Sequence, residues 1–425
     1  MASKFASRSV RPSTCWRCET KAEAQLQALH TSPRRRPQPL QKSSKHQRPY
    51  STAAPNLNYV VLTGRTLISL DGPDAADYLH NLIPAPVLPL EETGSCAASA
   101  FLNAKGRILH DVFVHKPSAK NAQQWYLETD SNSAPAIMKH LKKHKLRSKF
   151  KLQQLSPEEA AVFYLWPRSS EPEDVVGTQI HQDPRPKMGR RGYFIGENAT
   201  QNLGQQFAAV SSKDEYHWED YLIHRMLNGH AEGPVEIASE HALPQESNLD
   251  FYGGIDFHKG CYLGQELTIR THHTGVVRKR ILPVQIYSEN SPIPKDQTRP
   301  LYDPTAALPQ PPSEANIAKC GARGRSGRST GKWLGGYGNI GLALCRLETM
   351  TDLSLTAEGS AYNADNDEFE VSWQDSEAGE NRSVKVKAFV PPWLRQAIED
   401  SIKARSERSQ ARRLKGLEEE EEDVG

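Results

Sequence analysis

The chain of 425 residues has no run of apolar residues approaching the roughly 18 that a membrane-spanning helix requires, so a soluble or at most peripheral protein without membrane insertion is expected. Charge of one sign is lacking too: the net charge is +2, which excludes a molecule that binds polyanions through bulk charge. Hydrophobic residues make up only 37%, a lean supply for a chain this long, and this points to two domains with unstructured segments around them. Cysteine is scarce, with six residues at Cys15, Cys18, Cys96, Cys261, Cys320 and Cys345. Only Cys15 and Cys18 form a C-x-x-C pair, and no second pair lies where a four-ligand zinc site would need it. A disulfide framework is equally unsupported.

What is present is distributed unevenly. The first fifty residues hold eleven Lys or Arg against two acids, Glu19 and Glu23, with Ser, Gln and Pro between them and no apolar core of a secretory signal. Residues 1–50 therefore read as a mitochondrial transit peptide, and Arg48-Pro49-Tyr50-Ser51 resembles a matrix-protease site. The alternative is a basic tail that binds RNA or acidic partners.

Organised sequence begins near Asn58. Val60–Leu62 and Leu67–Leu70 predict two short strands around a turn, followed by a helix through Ala75, Ala76, Tyr78, Leu79 and Leu82, which Asp71 or Asp74 can cap. Ala100–Val114 reads as strand, polar turn, strand, with Asn103-Ala104-Lys105-Gly106-Arg107 as the turn. Trp125–Glu128 predicts another strand and Ile137–His144 a basic amphipathic helix. A helix over about Asp214–Leu227 would carry Trp218, Tyr221, Leu222 and Met226 on its apolar face, with Gly229 as a left-handed cap. Strands and helices mix without strict alternation, so the fold class is α+β. The divisions drawn are 56–285 for a two-lobed main domain, 286–333 for a Pro-, Gly- and Arg-rich insertion or linker, 334–395 for a small barrel, and 396–425 for a basic helix with an acidic tail.

The densest chemistry lies in Lys259-Gly260-Cys261-Tyr262-Leu263-Gly264-Gln265-Glu266. Flanking glycines permit the turns that display a side chain, and Lys259 is a nearby cation able to favour a thiolate. Gln265 and Glu266 add an amide and a carboxylate. A buried, inert cysteine is the plain alternative, and on local features the two stand level. No His or Asp is placed to make a convincing Cys–His pair.

These eight residues resemble the K-G-C-Y-x-G-Q-E signature of the YgfZ-type branch of the GcvT family, which is similar in fold to the aminomethyltransferase (T-protein) of glycine cleavage. Pro244–Leu249, Gly254-Ile255, Arg270 and Arg280 around it agree, as do Gly72–Ala75, Leu79, Asn103–Arg107, Asp183-Pro184-Arg185 with Gly189 and Arg191, and Asn339–Leu344. The resemblance spans about residues 58 to 395, interrupted by insertions. It implies a three-lobed ring with a C-terminal β-barrel, and a central channel able to hold tetrahydrofolate. Channel residues carried over on this basis are Asn103, Lys105, Asp111, Arg225, Asn248 and Arg270. With the leader, the resemblance is nearest to the family's mitochondrial iron–sulfur assembly factors, which implies a matrix protein acting late in making [4Fe–4S] clusters for aconitase-type and lipoate-synthase-type clients. The implied partners are A-type scaffold proteins and a ferredoxin. In that setting Cys261 would be one transient, shared cluster ligand, and it would have to be accessible to solvent.

A folate-dependent aminomethyl transferase is the rival reading. Against it, the T-protein's Asp-Asp pair is replaced by His110-Asp111, and its folate-binding Glu by Leu227 in Arg225-Met226-Leu227-Asn228-Gly229. RNA binding is the third: Gly321–Lys332 interleaves arginine with glycine, and Trp333 and Tyr337 follow as stacking candidates. An extended solvated loop explains that stretch more simply, so nucleic acid is not an expected partner. Gly331-Lys332 is followed by Trp333 in place of Ser or Thr, which excludes a Walker motif.

Overall fold

The computed structural model describes residues 59–422 except 118–122, 167–176, 211–216, 296–297, 321–328, 357–358 and 376–378. The leader with Cys15 and Cys18 lies outside the described residues, as does most of the Gly/Arg-rich stretch and the last acidic residue, Asp423.

Three β-structures carry the fold. The first is a five-stranded antiparallel sheet of β2 (Arg65–Asp71), β3 (Cys96–Leu102), β4 (Ile108–His115), β5 (Gln124–Asp130) and β6 (Lys151–Gln154), in the order β3-β4-β5-β2-β6. Helices α1 (Ala75–Leu82) and α3 (Ala134–Lys145) cover it, burying Leu79, Ile137 and Leu141 against Ile68, Leu70, Phe101, Val114, Trp125 and Leu127; α2 (Leu90–Thr93) is a single turn between α1 and β3. The predicted cap of α1 takes another form. Asp74 occupies the cap position, but its carboxylate accepts from the Lys149 N–H at 2.6 Å and ties the helix start to the strand entering β6.

The second sheet runs β1-β7-β9-β8 from β1 (Tyr59–Val61), β7 (Ala160–Leu165), β8 (Thr178–Gln182) and β9 (Arg190–Ile195). The expected pairing of β1 with β2 around a turn does not occur: β1 joins β7, and β2 joins β5 and β6. Strand β7 is buried on both faces. Ala161, Phe163 and Leu165 meet Leu203 and Phe207 of α4 (Ala199–Val210), while Val162 and Tyr164 meet Leu67, Tyr126 and Tyr193. That two-period split is what a strand between two layers must show.

The third is a closed antiparallel barrel of β10 (Lys279–Tyr287), β11 (Asn316–Lys319), β12 (Gly331–Tyr337), β13 (Ile340–Arg346), β14 (Phe369–Gln374) and β15 (Asn381–Ala388), ordered β10-β13-β12-β11-β14-β15. Leu282, Val284, Ile286, Ile317, Trp333, Ala343, Cys345, Val371, Val384 and Val386 fill it. Trp333 fits because Gly336 and Gly341 carry no side chain; a Cβ on either would strike the indole. The barrel therefore does not begin at 334 as drawn from sequence. Its first strand opens at Lys279 and β11 lies inside the supposed linker, because barrel strands pair across long loops and Pro283 and the glycines of β12 interrupt their alternation. Helix α8 (Leu347–Met350) and the first turns of α9 (Pro392–Glu422) cap it through Leu347, Met350, Leu394 and Ile398. Helix α9 continues through the acidic run instead of ending near Lys415.

Between the second sheet and the barrel lie α5 (Trp218–Leu227), α6 (Gly233–Glu236), a 3-10 turn (Leu249–Tyr252) and α7 (Gln265–Thr274). Helix α5 starts at Trp218, four residues later than expected, behind a capping box of His217 and Asp220. Tyr221, Ile223, Arg225 and Met226 are its buried residues, and Trp218 is left 54% exposed. Gly229 follows with φ +80, the left-handed conformation foreseen.

Candidate functional site

The loop bearing Cys261 is pinned from both sides before its side chain reaches solvent. Gly254 passes so close to β3 that a Cβ would sit 2.5 Å from the Ala98 carbonyl, and the Gly254 carbonyl accepts from Ser99 Oγ at 3.1 Å. Asp256 N–H donates to the Pro84 carbonyl at 3.0 Å and Leu263 N–H to the Asn81 carbonyl at 3.3 Å. Lys259 completes the attachment: Nζ donates to the carbonyls of His80, Ile83 and Ala85 at 2.5, 2.8 and 2.9 Å. These oxygens lie at and just beyond the C-terminus of α1, where helix carbonyls lack partners of their own. Burial draws the Lys259 ammonium down to about 8. Its three donors are thus committed to the backbone, which makes Lys259 an anchor of the loop.

Tyr262 turns inward among Ala100, Leu102, Ile108, Leu249 and Ile255, with the Lys259 ammonium 5.3 Å from its ring centre. Gln265 Oε1 accepts from the Tyr262 N–H at 3.2 Å, closing the turn into α7, and Glu266 is exposed in the first turn of that helix. Gly264 caps α7 at φ +81, and a side chain there would collide with the Asn103 carbonyl. Gly106, at φ +76, faces it: a Cβ at 106 would lie 2.8 Å from the Gly264 carbonyl. The two glycine turns singled out in the sequence, 158 positions apart, are one packed contact in the fold. Gly260 and Cys261 are left exposed between these anchors. No strand-to-helix junction presents the cysteine; a loop held at both ends does.

Of the four described cysteines, Cys96 and Cys345 are buried and Cys320 is half-buried, so Cys261 alone is exposed. Burial, with Glu370 and Glu368 nearby, pushes the Cys320 thiol up to about 11, and burial raises Cys96 and Cys345 as well. Among the described residues no group of three or more His, Cys, Asp or Glu is arranged to hold a metal ion. Beside the loop runs an open groove of about 720 Å³, floored by Phe251 and Phe257 and walled by His258, His272 and α9 residues including Arg408. His272 stacks on Phe257 at 3.7 Å between ring centres.

The six channel residues sit in separate local settings. Asn103 Oδ1 accepts from the Lys105 and Arg107 N–H groups at 2.9 and 3.1 Å, stabilising its own turn, and Lys105 is exposed. Asp111 pairs with Arg65 at 3.2 Å and accepts from the Gly233 N–H at 3.1 Å. Arg225 forks onto Glu236 at 2.5 and 2.9 Å. Asn248, fully buried at φ +63, donates to the Ile281 carbonyl and accepts from Arg280 at 3.2 Å. Arg270 is exposed on α7. Asp111, Arg225 and Asn248 are committed to protein partners.

A buried ionic cluster went unrecognised in the sequence. Arg191 Nη1 donates to Glu128 at 2.6 Å and Nη2 to Glu232 at 2.7 Å and to the Tyr221 hydroxyl. Arg185 holds Asp183 through two bonds of 2.9 and 2.7 Å and Glu232 at 2.6 Å, and Arg65 reaches Glu128 at 2.8 Å. The guanidinium carbons of Arg191, Arg185 and Arg65 lie 4.0, 4.9 and 5.6 Å from the centre of the Phe113 ring. Despite burial, Arg191 and Arg65 hold the Glu128 carboxyl down to about 2. Asp183, Arg185 and Arg191 were visible as a motif, but their partners come from β2, β5, α5 and the turn before α6.

RNA contact through the aromatics finds a different arrangement: Trp333 is sealed in the barrel, and residues 321–328 are outside the described set.

Comparison with known proteins places this geometry. Residues 278–396 match the model of the CAF17 C-terminal beta-barrel domain, which covers the barrel from its first strand to the start of α9. The structure of the glycine cleavage system aminomethyltransferase T from Bartonella henselae is similar with a TM-score of 0.55, at 12% identity over 80% of this chain and 87% of that one, which fixes the GcvT-like fold. The mitochondrial iron-sulfur cluster assembly factor IBA57 homolog of Neosartorya fischeri is 43% identical over 82% of this chain and 84% of its own length. That of Pyricularia oryzae is 44% identical over 80% and 85%. At that identity and coverage, the chain belongs to the IBA57 family within the GcvT-like fold.

Proposed function

We propose that this protein is a mitochondrial iron–sulfur cluster assembly factor that acts late in the maturation of [4Fe–4S] proteins, through Cys261 as one ligand of a cluster shared with a partner. The observation that carries the reading is Cys261 itself, the exposed cysteine of the described four, held by a loop anchored on both sides of it. Thiolates are the preferred ligands of iron–sulfur clusters, and one thiolate cannot retain a cluster alone. With the remaining ligands on a partner, the cluster is cargo, and release needs only one protein–metal bond to break on this side. A-type scaffolds and a ferredoxin are the partners this chemistry suits, and aconitase-type and lipoate-synthase-type apoproteins the clients. The names of the relatives and the basic, acid-poor first fifty residues support import into the mitochondrial matrix.

The test is a cell whose only copy carries Cys261→Ser. Aconitase activity and lipoylation of dehydrogenase subunits are expected to collapse while the protein stays folded and abundant. Normal values for both would remove Cys261 from the chemistry.

A further inference from the structure

The exposed face of Trp218 belongs to a preorganised patch that the assembly reading does not use. Trp218 at the start of α5, Val235 in α6 and Leu301 in the loop after β10 are 54, 61 and 72% exposed, unusual for such side chains. They surround two tyrosines of the barrel side: Tyr337 lies 6.4 Å from Trp218, edge-on, and 6.3 Å from Tyr302 between ring centres. The patch is rigid. Buried Asn339 donates to the Leu301 carbonyl at 2.9 Å and accepts from the Asp303 N–H at 2.8 Å, and the Tyr302 ring packs on the turn at Gly338. Ser313 fastens the same loop to the Val235 carbonyl at 3.3 Å.

Carboxylates ring the aromatics. Glu219 and Asp220 directly follow Trp218 and Asp303 directly follows Tyr302; burial first, and these carboxylates after it, raise the Tyr337 and Tyr302 phenols. Among the described residues Glu219 is in no ion pair, and Asp303, also without a cation partner, accepts from the Thr305 N–H at 2.8 Å and the Thr305 hydroxyl at 2.6 Å. Aromatic faces and carboxylates that no cation holds attract the same ligand, a cation, and the planar guanidinium, which can lie flat on one aromatic face, suits the patch best.

We infer that the Trp218–Tyr337–Tyr302 patch, with Glu219 and Asp303 at its rim, is a docking site for an arginine side chain presented by a partner protein. Buried Trp, Tyr and Arg are the residue types that dominate interface energetics, and a preformed site loses little in ordering. The site stands apart from Cys261 and does not depend on the role given to it.

The test uses the full chain labelled with 5-fluorotryptophan, whose seven signals include one assigned to residue 218 by Trp218→Phe. The probes are an acetylated Leu-Arg-Leu amide and its citrulline counterpart, equal in shape and uncharged. The Trp218 signal is expected to shift saturably with the arginine peptide, about threefold to tenfold more tightly than with citrulline. Tyr337→Ala or Glu219→Gln should weaken it by a similar factor. Equal response to both peptides, or none to either, overturns the inference. So does a dimer in sedimentation that Trp218→Ala abolishes, since the patch would then be the contact between two copies of this chain.

Discussion

Gly264 and Lys259 show how single residues hold the Cys261 loop in place. At Gly264 a substitution meets both left-handed strain and the Asn103 carbonyl. Gly264→Ala should therefore cost about 2–4 kcal/mol, read as a lower urea midpoint with an unchanged slope. Gly260→Ala, with nothing within 4 Å of its Cβ, should leave the midpoint where it is. Lys259→Met keeps the stem and strips three carbonyls of their donor, for a loss of about 1–3 kcal/mol. If Lys259→Met were neutral in urea while changing the reactivity of Cys261 toward a maleimide, its assignment as an anchor would be wrong. The cysteine was legible in the sequence because its surroundings are local. The work of Lys259 was not, because its acceptors lie 174 to 179 positions earlier.

Elements of this fold are joined by charge where apolar contact would be the usual means. Arg191 of β9 bridges Glu128 of β5 and Glu232 before α6, and Phe113 of β4 provides a flat surface for three guanidinium groups. Removing one partner of a buried set leaves the others uncompensated, so Arg191→Met should cost about 3–5 kcal/mol. Exchanging Arg191 and Glu128 together for apolar residues should cost less than the sum of the two single changes, a coupling that a double-mutant cycle in urea measures. Additive losses would show that the pair is not coupled. Period-two and helical patterns revealed β1 to β5, α1, α3 and α5, since each buries a recognisable face, while β6 to β9 and α4 were not foreseen. The barrel's start escaped because Pro283 interrupts β10 and its partner strands β13 and β15 lie far along the chain, and Trp218 was misplaced because helical spacing cannot tell a core face from a docking face.

At the scale of the molecule, buried titratable groups set the response to acid. Desolvation lowers His140 and His224 to about 4 and His181 and His230 to about 3, below the ordinary 6.5. The unfolded chain therefore takes up these protons first, and stability falls as pH drops from 6.5 toward 3. Glu128 works in the same direction: held down to about 2, it contributes stability above its ordinary 4.5 that is lost between 4.5 and 2. Urea midpoints at pH 7.5, 6.0, 5.0 and 4.5 should decline monotonically below 6.5, and a flat series would show that these imidazoles are protonated without penalty. The barrel adds a consequence of another kind. Its first strand, β10, is complete at Tyr287, yet its two neighbours are β13 and β15, the second ending at Ala388. A chain emerging from its N-terminus carries β10 with both edges open until β13 is complete at Arg346, and with one edge open until β15 is complete at Ala388, and such edges recruit other strands. Closure of the ring is thus a late, long-range and slow event, and the newly made chain passes through an interval in which an unpaired strand edge exposes it to aggregation.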